Sequence, residues 1–146
     1  MATTFAAPST KRVDNGKLWQ TAGIVAAISV VVNLIIRVLA VTLFPIPAEF
    51  LPLGWGAPVI VTIIGVIGAA LVFMLIGRVS KTPSATYRLV ATIALIVTLI
   101  PDVLMLFGQG MPMAGATPQG ALALILMHIA PYLLAVQLFP SRALVK

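Results

Sequence analysis

Three ionisable side chains interrupt the long apolar runs of this 146-residue chain: Arg37, Asp102 and His128. A guanidinium, a carboxylate and an imidazole are the raw material of ion pairing and proton transfer. Each is costly in hydrocarbon unless a partner or water relieves it. Asp102 directly follows Pro101, which removes a backbone donor and is expected to loosen the helix there. A guanidinium can meet a carboxylate through two parallel hydrogen bonds and still spare donors for an amide such as Asn33. The expected arrangement is therefore an intramembrane polar cluster of Arg37, Asp102, His128 and Asn33. In it Arg37 pairs with Asp102, His128 approaches the carboxylate from its other side, and Glu49 sits at the pocket rim.

Other chemistry has less to build on. Met111, Met113 and His128 offer thioether and imidazole ligands of the kind that suit Cu(I), yet methionine is also an ordinary gap-filler in apolar helices. One histidine is a poor set for a metal or a haem, and the chain has no cysteine. No cofactor is expected. There is no glycine-rich phosphate loop, HExxH pair or serine elbow, so no catalytic residue and no enzyme activity are assigned.

The elements that would position these residues follow from composition. Hydrophobic residues make up 61% and charged residues 8% of the chain, with a mean hydropathy of +1.16. A soluble domain carries roughly a quarter charged residues. Four apolar blocks each approach the roughly 20 residues that cross a bilayer as a helix. The prediction is an all-α, polytopic membrane protein with a four-helix transmembrane bundle over 18–139, its helices at about 18–44, 58–77, 87–107 and 120–139. Residues 1–17 and 140–146 are read as cytoplasmic tails. Pro45 and Pro47 end the first helix, Pro58 opens the second and Pro140 ends the fourth. Phe50, Leu51 and Trp55 are expected in the membrane interface. Gly65 and Ala69 form a small-xxx-small pair expected to pack helix against helix.

Basic residues settle the expected orientation. With the N-terminus inside, Lys11, Arg12, Lys17, Arg78, Lys81, Arg88, Arg142 and Lys146 are all cytoplasmic, and Arg37 alone is not. This obeys the positive-inside rule and predicts an N-in, C-in topology. Such scattered basic residues do not form a nucleic-acid-binding stripe. On this orientation Arg37, Asp102 and His128 lie roughly 11, 8 and 12 Å below the outer boundary, at about 1.5 Å per residue.

The Gly-x-x-Gly-Ala-Ala-Leu-Val-Phe stretch at 65–73, Leu-Ile-Pro-Asp at 99–102 and Leu-Met-His at 126–128 resemble a family of small bacterial four-helix membrane proteins classed as a domain of unknown function. The resemblance implies a bacterial inner-membrane location and no particular activity. Two functional expectations follow. The first is a structural or accessory membrane component, a small subunit of a complex or a homo-oligomer in the lipid bilayer. The second is a small-solute, ion or proton-handling protein that uses an outward-facing Asp102/His128/Arg37 pocket.

Overall fold

A computed structural model of the chain describes residues 12–109 and 113–145. It has four helices: α1 (Asn15–Leu43), α2 (Gly56–Val79), α3 (Pro83–Leu106) and α4 (Pro118–Ala143). All four are long and apolar enough to cross a membrane. A 3-10 turn, Leu51–Leu53, lies between α1 and α2, and two short strands, β1 (Arg12–Val13) and β2 (Leu144–Val145), flank the helices.

Local chemistry explains where the helices begin. The Asp14 side chain accepts the Lys17 amide at 3.0 Å, and Thr117 accepts the Gly120 amide at 3.1 Å, each relieving an unpaired donor of a first turn. Pro83 and Pro118 stand in first turns, where the missing N–H costs nothing. Contrary to expectation, Pro140 does not end α4, which continues to Ala143. The lost donor leaves only the Val136 carbonyl without its usual partner, and the next turn carries on, with the Ser141 hydroxyl donating to the carbonyls of Gln137 and Leu138 at 2.7 and 3.2 Å. Helix α3 likewise runs on through Pro101 to Leu106.

Around the bundle, α1 packs against α2 and α4, and α4 packs against α3. Helices α1 and α3 therefore stand on a diagonal. One core cluster sits at the end where α2 stops and α3 starts. There the Phe73 and Tyr87 rings meet edge-on with centroids 4.8 Å apart, and Phe139 leans on both at 6.0 and 5.9 Å. A second cluster, Ala40, Phe50, Leu53, Ala123 and Met127, closes the opposite end. Phe50, expected in the membrane interface, is instead buried (1% exposed). Its ring lies over Gly120, where a Cβ would come within 2.8 Å of it. Leu51 and Trp55 are exposed.

The two ends of the described residues are tied together. Val13 pairs with Leu144 and Arg12 with Val145 in an antiparallel ribbon, and the Asp14 amide donates to the Ala143 carbonyl at 2.8 Å. Residues 12–13 and 144–145 thus form a clasp where tails were expected. The clasp crosses α2 at Gly77, because any Cβ there would run into the Val13 side chain.

Candidate functional site

The expected polar cluster resolves into three separate groups. Arg37 does not pair with Asp102. Its Nε donates to the Leu53 carbonyl at 2.9 Å, and the guanidinium carbon lies 3.6 Å from the centroid of the Trp55 ring. Among the described residues the ion-pair geometry is met only by His128 and Asp102. The reason is azimuth. Arg37 and Asp102 stand on diagonal helices, with α4 as the neighbour of both.

Asn33 forms the second group. Its amide donates to Thr62 Oγ1 at 2.8 Å and to the Met127 carbonyl at 3.2 Å, joining α1 to α2 and to α4. Thr62 in turn donates to the Pro58 carbonyl, a bond that satisfies its own proton within α2. Both residues are buried, so these bonds lie in the interior of the bundle.

The third group joins α3 to α4. His128 Nδ1 lies 3.1 Å from Asp102 Oδ2 and 2.9 Å from the Leu124 carbonyl. One Nδ1–H cannot align with both, and Oδ2 receives no aligned hydrogen bond. Asp102 is buried, while the His128 side chain is 35% exposed. The Leu124 carbonyl therefore holds the imidazole by Nδ1, and the buried Asp102 carboxyl stands close behind the same nitrogen. Further along the same seam, Thr92 and Tyr132 share a hydrogen bond of 2.8 Å.

These links tie α1 to α2 and α4, and α4 to α3. Above the Phe73–Tyr87–Phe139 cluster, no side-chain hydrogen bond among the described residues ties α2 to α3. A cleft of about 550 Å³ opens in that seam. Its walls are α2 from Pro58 to Val72 and α3 from Tyr87 to Thr98, and its floor is α4 with His128, while Asn33 reaches it from α1. Gly65 and Ala69 line this cleft, and Ala69, half-buried, also packs against the core cluster. Gly65 is exposed, and nothing lies within 4 Å of a Cβ built on it. At Gly65 the small-residue face lowers one wall of the opening, while at Ala69 it meets the core.

The remaining candidates lie elsewhere. Glu49 is exposed and takes no part in lining the cleft. Met113 is exposed before α4, and Met111 lies outside the described residues. Sequence reasoning missed Thr62 as the partner of Asn33, and Tyr132 as that of Thr92. The signal for the first was a threonine on the small face of α2, which a buried amide on α1 could have claimed. Comparisons with protein-family models, with curated proteins and with solved structures find no match.

Proposed function

We propose that this chain is an accessory protein of a bacterial inner membrane, crossing it four times with both ends cytoplasmic, that holds a small apolar molecule in the α2–α3 cleft. The cleft is the observation that carries this reading. Its 550 Å³ falls within the roughly 300–1,000 Å³ of small-molecule sites, and its lining is mostly apolar with a few polar groups. The orientation draws support from the basic residues Arg12, Lys17, Arg78, Lys81, Arg88 and Arg142, which all flank the end of the bundle carrying the clasp. Arg37 has no place in the pocket, and the proton-handling reading loses the cation it called on.

Filling the cleft tests the proposal. Gly65→Leu adds bulk where no atom stands in the way. Wild type and variant are extracted from native membranes in polymer-bounded lipid discs, and the bound small molecules are compared by mass spectrometry. The wild type is expected to retain at least one species that the variant loses, with the melting temperature of the variant within a few degrees. Identical small-molecule content in two folded proteins would contradict the proposal.

A further inference from the structure

We infer that the guest of the α2–α3 cleft is an uncharged single-chain lipid bearing a hydroxyl group, which hydrogen-bonds to Nε2 of His128. This rests on the cleft being a binding site and identifies what it selects.

Size comes first. The α2 wall from Pro58 to Val72 is roughly 21 Å long at about 1.5 Å per residue. Spread over that length, 550 Å³ corresponds to a mean cross-section on the order of 25 Å². A hydrocarbon chain, with carbons in contact at about 3.5–4.0 Å, needs roughly 15–20 Å². One such chain fits along the cleft.

Charge comes second. The lining contains no Lys, Arg, Asp or Glu, and the buried Asp102 carboxyl stands directly behind His128. A permanently charged headgroup would find no Lys, Arg, Asp or Glu in the lining to neutralise it, only the His128–Asp102 pair, which already answers itself. An uncharged guest avoids that cost.

The third point is the polar group left free. Asn33 spends its amide on Thr62 and Met127, Tyr132 and Thr92 share a bond, and Thr98 donates to the Leu95 carbonyl. Asn33 Oδ1 and the Tyr87 hydroxyl lack partners but are buried out of reach. His128 differs, since Nδ1 faces Leu124 and Asp102 while Nε2 makes no hydrogen bond among the described residues, and the ring borders the cleft. A hydroxyl both donates and accepts, so it answers Nε2 whether that nitrogen offers a lone pair or a proton. A ketone or an ether answers only one of those states.

Photolabelling in phosphatidylcholine vesicles tests the inference. Three probes share one long alkyl chain with a mid-chain diazirine and a terminal alkyne, and they end in a primary alcohol, a plain methyl group or a carboxylic acid. The alcohol is expected to label cleft peptides of α2, α3 and α4 about five-fold more than the hydrocarbon, the gain of one neutral hydrogen bond. His128→Leu should bring the alcohol down to the hydrocarbon level, and Gly65→Leu should remove cleft labelling by both. Competition on the wild-type protein by untagged hexadecanol against hexadecane provides the same contrast without relying on a variant. Equal labelling by alcohol and hydrocarbon, or stronger labelling by the acid, overturns the hydroxyl inference while leaving the cleft as a site. If no probe labels the cleft above the Gly65→Leu background, the binding reading itself fails.

Discussion

At the scale of residues, Asp102 belongs to His128 and Arg37 belongs to Trp55 and the Leu53 carbonyl. A double-mutant cycle distinguishes this from direct pairing of Arg37 with Asp102. For Asp102→Asn with His128→Ala, the coupling in a detergent melt is expected in the range of about 0.5–3 kcal/mol, as for side chains in contact. For Asp102→Asn with Arg37→Gln it should stay within about 0.5 kcal/mol of zero. A large coupling to Arg37 would contradict the geometry. Asn33→Leu removes two interhelical bonds at once. With bonds of this kind averaging about 0.6 kcal/mol in membranes, the expected loss is roughly 1–2 kcal/mol, read by unfolding in bicelles. The residues that mattered were visible in the sequence, since Asn33, Asp102 and His128 are all buried or half-buried and all make polar contacts. Who meets whom was not. Counting along helices yields depth, and depth is silent about azimuth, so two residues counted to one level on diagonal helices looked like partners.

At the scale of elements, the four helices were legible because apolar length alone calls for a membrane span. Their ends were less so. Pro140 reads as a stop, but near a helix end it removes a single ladder bond, and the helix runs on to Ala143. Phe50 reads as an interface aromatic, and only the bare Cα of Gly120 on a distant helix makes room to bury it. The clasp between β1 and β2 had no sequence signal beyond the short Val-containing ends, because two-residue strands are too brief to show a pattern. It has a direct test. Gly77→Ala places a methyl against Val13 and should cost roughly 1–3 kcal/mol of local stability, the range for overpacking. Hydrogen exchange at the Asp14 amide is expected to speed up at least about ten-fold. Val13→Ala in the same chain should restore most of the protection, whereas no recovery would remove the steric account of the clasp.

At the scale of the whole molecule, the bundle is closed at one end by aromatic packing, at the other by the Phe50 cluster, and is open along one seam. The sequence contained the small residues that make the seam, Gly65, Gly68, Ala69, Ala91 and Ala94, but small faces serve close helix packing and open clefts equally well. Only the placement of α4 between α1 and α3 decides between them. The most direct test is the oxygen accessibility of a nitroxide placed by cysteine substitution at Gly68, Ile67 or Ala70, three positions at nearly one depth, in a chain with no native cysteine. In the structure Ile67 and Gly68 are exposed, Gly68 within the cleft, and Ala70 is buried. Labels at Gly68 and Ile67 should collide with oxygen at comparable, lipid-like frequency, and the Ala70 label several-fold less. Added hexadecanol should then lower accessibility at Gly68 alone. If the Gly68 label behaves like the Ala70 label from the outset, α2 and α3 are closed on each other in the bilayer and the cleft is not a site.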